Sequence, residues 1–437
     1  MKLLVTGDLH IGRRAARLPA DLASALTPAR LWERIALAAV DQSVDAVLLA
    51  GDIVDQSNRF FEARAPLERG LNVLHEANIP VVAVSGNHDW DVLRRLGESL
   101  SDAGGFRLLG PDGNWERVAL SDSAGRVIHL FGRSFPARHC GHCPIDTFPR
   151  ELLDAGIPSV GLLHAEIHGG EAKYCPVSVP ELEGTGVPVW FLGHIHKPTS
   201  SLTRTVEREV LYLGSPMGLD PGLGECGVHG AWLATLSGAA WDLTMLPLSP
   251  LRYERLALDV STVPGVEDLA QFLDADFRSR LEQWRGEQAE LAAVVLRVTL
   301  TGVTTLSVQD LHAAMGTIDG QLTEIDGISL SLDRWDIDVS PPLDLEACAE
   351  GGGPLAVAAA LLLELEGARP EQSETTRRVS ELQHELQSMQ GRSFATLGRE
   401  STAQGPPDEE ACRRMMRRQC KALVAALYGQ RGEVSHG

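Results

Sequence analysis

A chain of 437 residues exceeds what one hydrophobic core ordinarily supports, so at least two domains are expected. An apolar fraction of 44% with 22% charged residues excludes wholesale disorder. A net charge of −20, with no basic excess in either half, argues against strong unaided binding to a polyanion; any nucleic-acid contact must come from a local patch, divalent metals or a partner.

The chain opens on MKLLVTGD without a secretory leader, and its longest apolar run, Leu355–Leu365, is too short to span a bilayer and carries Glu364. Seven cysteines without an evident framework fit a reducing compartment. The expectation is a cytoplasmic protein with no membrane association.

Residues 1–250 alternate short apolar runs with helical stretches. Leu3–Thr6, Ala46–Leu49, Val81–Val84, Ser159–Leu163 and Val189–Leu192 have the near-continuous apolar pattern of strands buried on both faces. Helical patterns over Pro28–Gln42 and Phe61–Ala77 separate the first three, which predicts βαβ units. Val127–Phe131, Glu209–Leu213, Gly230–Leu236 and Trp241–Pro247 read as further strands, completing a two-sheet α/β sandwich. Beyond Pro250 the order changes to strand Tyr253–Val260, helix Val266–Arg285, strand Ala292–Leu300, helix Ser307–Ile318 and strands around Gly327–Val339. This predicts an α+β accessory domain over 251–342. Pro341-Pro342 and Gly351-Gly352-Gly353-Pro354 punctuate the chain. Helical patterns at Leu355–Glu366, Glu371–Met389 and Glu409–Tyr428 then make 343–437 a helical C-terminal region and a candidate partner-binding segment.

Five motifs stand at the ends of five predicted strands: GDLH (Asp8, His10), GDIVD (Asp52, Asp55), GNHD (Asn87, His88, Asp89), LLH (His164) and GHIH (His194, His196). Ligands of such sheets gather beyond the carboxyl ends of the strands, so all five loops can face one crevice. A lone Gly-Asp after a strand is ordinarily a turn, but five such motifs in order are not explained as turns. Carboxylate, imidazole and amide groups without thiolates suit Mn²⁺, with Zn²⁺, Fe²⁺ and Mg²⁺ as alternatives. A dication lowers the pKa of a bound water toward about 7, and two of them roughly 3.5–4 Å apart can clamp phosphoryl oxygens during in-line displacement. One shared carboxylate is needed to bring such charges close, and Asp52 is the natural candidate. Asp55 reads as the cap of the helix that follows its motif.

The ordered set resembles the calcineurin-like metallophosphoesterase superfamily, whose fold is a four-layer α/β/β/α sandwich. Within it, GDLHIGR at the amino terminus, GHIHKP followed by YLGSPMGLDPGLGECGVHGAWL, and the extra domain are similar to SbcD-type DNA repair exonucleases. The match covers about the first 250 residues. The resemblance implies one metal ion on Asp8, His10, Asp52 and His196 and another on Asp52, Asn87, His164 and His194. His88 would then act on the leaving oxygen, oriented by Asp89. It further implies a Mn²⁺-dependent DNA exo/endonuclease subunit, an SMC-like SbcC-type ATPase as partner alongside DNA, and a homodimer as a candidate assembly. The alternatives are a phosphoesterase for a small substrate, such as a cyclic nucleotide or nucleotide sugar, and a DNA-end-binding scaffold with a vestigial site.

Arg13 and Arg59 are the nearest arginines to the motifs and the first candidates for DNA contact. Arg14, Arg17, Arg64, Arg94, Arg95, Arg133, Arg138 and Lys197 complete a conceivable basic rim, and Arg413–Lys421 is the one dense basic run. No G-x-x-x-x-G-K-[ST] loop occurs, so ATP hydrolysis would fall to a partner. Val379, Leu382, Leu386 and Met389 form a short a/d stripe that suits either a partner helix or internal packing. RHCGHCP (His139, Cys140, His142, Cys143) reads as a zinc half-site or a cysteine-bearing loop, with Cys175 and Cys226 remote in sequence.

Overall fold

The computed structural model describes the chain except residues 56–59, 102–104, 168–172, 201–202, 319–321, 341, 343, 394–407 and 435–437. It forms two compact units, one of residues 1–255, 276–297 and 320–334, the other of 256–275, 298–319 and 335–437. Residues 251–342 therefore contribute to both.

In the first unit the strands are β1 (Lys2–Thr6), β2 (Ala46–Ala50), β3 (Val81–Val84), β4 (Phe106–Leu108), β5 (Glu116–Ser121), β6 (Val127–Arg133) and β7 (Ser159–His164). There follow β8 (Glu166–Ile167), β9 (Pro176–Val177), β10 (Val189–Gly193), β11 (Arg204–Val206), β12 (Glu209–Tyr212), β13 (Ala231–Ser237) and β14 (Ala240–Leu246). Among the described residues, one sheet has the order β11-β14-β13-β1-β2-β3-β4 and a second β12-β10-β7-β6-β5. β1, β2 and β3 run parallel, as do β6, β7 and β10, so the motif-bearing ends of each sheet lie on one edge.

Side-chain alternation builds the layers. Ala46, Leu48 and Ala50 of β2 face the second sheet and join Leu130, Leu162, Val189 and Phe191 in a core between the sheets. Val47 and Leu49 face the other way, into a core with Leu31, Trp32, Ile35, Leu67 and Leu74. Those residues come from the helices Pro28–Asp41 and Phe60–Glu76. The first helix starts where Thr27 accepts a hydrogen bond from the Arg30 N–H and Pro28 takes the first helical position. Trp32 is fully buried at the helix–helix contact and donates its indole N–H to the Leu67 carbonyl at 3.0 Å.

On the outer face of the second sheet, Phe131, Leu163, Trp190 and Leu192 pack with Phe148 and with Leu182 of the short helix Val179–Gly184. The expected α/β/β/α sandwich is present, with this fourth layer built from short helical turns. The sandwich holds the parallel strand ends rigid, which is what places the motif loops.

A further sheet contains Leu251–Asp259, Ala293–Val303, Ile328–Ser340 and Leu322–Ile325 in that spatial order. In the second unit, helices Pro354–Leu365, Ser373–Ser393 and Glu409–Val434 enclose a core of Leu355, Ala359, Leu362, Val379, Cys412 and Val424. Val379, Leu382 and Leu386 of the a/d stripe all pack into this internal core, while the Met389 side chain lies outside the described residues. The basic run is likewise engaged within its own unit: Arg413 pairs with Glu371 and Glu409, Arg417 with Glu410, Arg418 with Asp336 and Lys421 with Glu366. Among the described residues no helix is long and apolar enough to cross a membrane.

Candidate metal centre

The β1 and β2 loops are tied beyond the strand ends. The Asp8, His10 and Ile11 N–H groups donate to the carbonyls of Gly51, Asp52 and Ile53, each at 2.9 Å. Asp8, His10, Asp52 and His194 all sit at left-handed φ (51°, 48°, 48° and 98°). That conformation costs a non-glycine residue about 1–3 kcal/mol, a strain concentrated where proteins do chemistry. The motif glycines supply room. A Cβ on Gly86 would lie 2.2 Å from the Asp52 Oδ1, and one on Gly51, at φ 85°, would lie 2.7 Å from the His164 Nδ1.

The side chains of Asp8, His10, Asp52, Asn87 and His164 are buried, and those of His88, His194 and His196 are partly so. His164 Nδ1–H donates to the Ala50 carbonyl at 3.0 Å. Its Nε2 lone pair therefore faces the Asp52 Oδ2 at 3.4 Å and the Asn87 Oδ1 at 3.1 Å. On the other side, Glu225 holds His196 at Nδ1 and Asp55 approaches the His10 Nδ1 at 3.3 Å. With the His196 Nδ1 held by Glu225 and the His10 Nδ1 facing Asp55, the two Nε2 atoms confront one another at 3.1 Å. The His10 Nε2 also lies 3.9 Å from the Asp52 Oδ2. Lone pairs so opposed need a cation or an extra proton between them. Asp8, His10 and His196 form one cation-sized group, Asp8, Asp52 and His164 another, and His10, Asp55 and His88 a third. The donor set, all oxygen and imidazole, fits borderline-hard dications.

Electrostatics agree. Burial resists ionisation of Asp52, but His164, His10 and His88 outweigh it and hold its carboxyl low, at about 2. Burial, then Asp52, pushes Asp89 up to about 7. Burial and the neighbouring His164 lower His194 to about 3, so it is neutral at physiological pH. Burial opposes an imidazolium at His196, yet Glu225 overrides it and raises the value to about 9. Burial opposes charge at His88 too, and Asp55 with Asp52 prevails, raising its pKa. Metal binding would displace the proton that His196 otherwise keeps.

Asp8, His10, Asp52, His88, His164 and His196 fall within the cation-sized groups and Asn87 lies beside His164, whereas His194 belongs to none of them. His194 donates its backbone N–H to both Asp8 oxygens at 3.0 Å, and its ring centroid lies 5.2 Å from that of His164. His88 packs edge-on to His10 at 4.9 Å between ring centroids, and its N–H donates to the Asp52 Oδ1 at 2.9 Å.

One expectation is corrected, and two other residues gain a place. Asp89 does not directly orient His88: its carboxylate accepts the backbone N–H groups of Gly86 at 2.7 Å, Ile53 at 2.6 Å and Val54 at 3.4 Å, stitching the GNHD and GDIVD loops together. Asp55 turns into the site, where its Oδ1 stands 3.6 Å from the His88 Nδ1; residues 56–59, which a helix cap at Asp55 would involve, lie outside the described residues. Cys175, remote in sequence, adjoins Cys140: its N–H donates to the Cys140 carbonyl at 2.6 Å.

Glu225 was missed altogether. It sits in the GLGECG segment, and its only sequence signal is an acidic residue among turn-forming glycines. Of the rim arginines, Arg13 lies 3.6 Å from Asp220, Arg17 3.3 Å from Asp333, Arg64 2.7 Å from Glu68 and Arg94 2.6 Å from Asp112. Arg133 is buried, and Arg59 lies outside the described residues.

Metal-competent carboxylates and imidazoles thus gather at the parallel strand ends of a two-sheet sandwich. Residues 1–198 match the calcineurin-like phosphoesterase family. Over 295 residues the chain is 28% identical to a protein of Bacillus subtilis (strain 168) described as "Uncharacterized metallophosphoesterase YhaO", covering 64% of this chain and 65% of that one. The chain thus spans just under two thirds of that relative's length. Solved structures similar to it include TT1561 of Thermus thermophilus, at 14% identity over 56% of this chain and 98% of that one with a TM-score of 0.33. A dimetal phosphatase from Danio rerio is also 14% identical, over 57% of this chain and 98% of that one, with a TM-score of 0.33.

Proposed function

We propose that the chain is a phosphodiesterase that hydrolyses DNA with two divalent ions, Mn²⁺ foremost, as the nuclease subunit of a repair complex whose ATPase is an SMC-like partner. The observation that carries the reading is the convergence of imidazole and carboxylate lone pairs from five loops onto one buried cluster. His10 and His196, with Asp8 and Asp52, would hold one ion, and Asp52, Asn87, His164 and His194 the other. Bound there, such ions supply Lewis acidity toward water and the phosphoryl oxygens. Asp55 and Glu225 fix the imidazole tautomers of His10 and His196, and Asp89 locks the loop that carries Asn87 and His88. His88, raised in pKa and partly exposed, holds a proton at the edge of the cluster, where it can be given to a departing oxygen.

A second reading, a small phosphodiester as substrate, is favoured by the rim: Arg13, Arg17, Arg64 and Arg94 each face a carboxylate. With a net charge of −20, DNA binding would then depend on the partner. Metal analysis combined with assays on end-labelled single- and double-stranded DNA, bis-p-nitrophenyl phosphate and cyclic nucleotides separates the readings. Turnover of cyclic nucleotides with none of DNA, alone or with the ATPase, would reject the nuclease assignment.

A further inference from the structure

We propose that Cys140 and Cys175 are a redox-active dithiol, a modification site that peroxide-class oxidants convert to a disulfide, with Cys140 as the attacking sulfur. Cys140 pairs with Tyr174 in a parallel bridge, its N–H donating to the Lys173 carbonyl at 3.2 Å. That register brings the Cys175 backbone against Cys140, its N–H donating to the Cys140 carbonyl at 2.6 Å, and both thiols are free. Both are buried in one apolar cluster with Phe135, Ile145 and Phe148. Cys175 also sits at a left-handed φ of 48°, where a non-glycine side chain is strained.

The surroundings select Cys140 as the thiolate. The His142 Nε2 lies 3.8 Å from its sulfur and accepts from the Arg133 guanidinium at 3.1 Å. Arg133 is itself buried, with Nη1 unpartnered among the described residues, and its charge bears on both thiols. The Cys175 side chain lowers the Cys140 pKa; burial opposes this, and Arg133 and His142 add to the lowering. Cys143, the other member of the C-x-x-C, is instead raised by burial. His142 is exposed, so a small oxidant has a short approach.

The steps balance. The Cys140 thiolate attacks one peroxide oxygen, the O–O bond breaks, and the departing hydroxide leaves as water after taking one proton, giving a sulfenic acid. The Cys175 sulfur then attacks the sulfenic sulfur, and the expelled hydroxide takes the Cys175 proton. Two thiols lose two electrons and two protons, and one hydrogen peroxide becomes two waters. The bridge residue Tyr174 has its ring 5.2 Å from that of His194, tilted at 48°.

The test is peptide mapping of the full reduced chain after mild hydrogen peroxide and alkylation. The expected result is a Cys140–Cys175 cross-link, reversed by dithiothreitol, with two of the seven thiols lost. Cys175→Ala should stop at a Cys140 sulfenic acid that dimedone traps, while Cys143→Ala should still cross-link. Seven thiols unchanged, a Cys140–Cys143 link, or stoichiometric zinc held by the reduced chain through these cysteines would overturn the proposal. The wild-type map decides even if a variant fails to fold.

Discussion

The Nε2 atoms of His10 and His196 stand 3.1 Å apart, each ring held from behind by a carboxylate, Asp55 or Glu225. Two nitrogens aimed at one point from loops so distant in sequence form a place suited to positive charge, which the proton on His196 supplies at neutral pH. The carboxylates behind them are as much part of it as the rings.

Replacing the carboxylate behind His196 should therefore weaken the centre without emptying it. Glu225→Gln is expected to lower metal affinity about 10–100-fold, the usual cost of losing such a partner. Equilibrium dialysis against Mn²⁺ with elemental analysis measures it, and an unchanged isotherm would show that Glu225 merely packs.

Asp52 faces His10 at 3.9 Å and His164 at 3.4 Å, one on each side. Asp52→Asn should reduce the occupancy of both ions, whereas His10→Ala should chiefly affect one. Metal content per chain after gel filtration distinguishes these outcomes.

His88 stands at the edge of the cluster, grouped with His10 and Asp55 but with neither Asp8 nor Asp52. His88→Ala should retain its metal while turnover of bis-p-nitrophenyl phosphate falls about 10²–10⁴-fold, the range for lost general acid catalysis. Loss of metal along with rate would make it a ligand instead.

Trp32 bears on stability rather than chemistry. It is fully buried, with its indole N–H on the Leu67 carbonyl. Trp32→Ala should cost about 3–5 kcal/mol, read as a lower denaturation midpoint at unchanged slope.

His229 gives a pH test. Burial lowers its pKa from 6.5, and its Nδ1–H donates to the Ser215 carbonyl at 2.7 Å. Above 6.5 both states are neutral and nothing is lost. As pH falls through 6.5 the unfolded chain takes up a proton that the folded site refuses, and stability drops until His229 itself protonates. Urea midpoints on either side of that pH should diverge less in His229→Gln than in the wild type.

The strand runs, the sandwich and the metal-competent residues were all legible because they follow from local rules. Val47 and Leu48 are apolar alike, which marks a strand buried on both faces, and a glycine before an acid at a strand end marks a loop with a purpose. GDIVD announced Asp52 for that reason. It could not announce what Asp55 does, since an acid four residues into a loop equally suits a helix cap.

Partnership across the chain was decided elsewhere. That Glu225 stands behind His196, that Asp89 spends its oxygens on the Gly86, Ile53 and Val54 amides, and that Cys175 lies beside Cys140 are products of sheet register and loop path. Side-chain type and spacing are properties of a segment, and sequence alone determined those here. Which segment lies opposite which is fixed only when the two sheets close on their shared core, and the tertiary structure made that choice because burying both apolar faces at once leaves the loops little freedom.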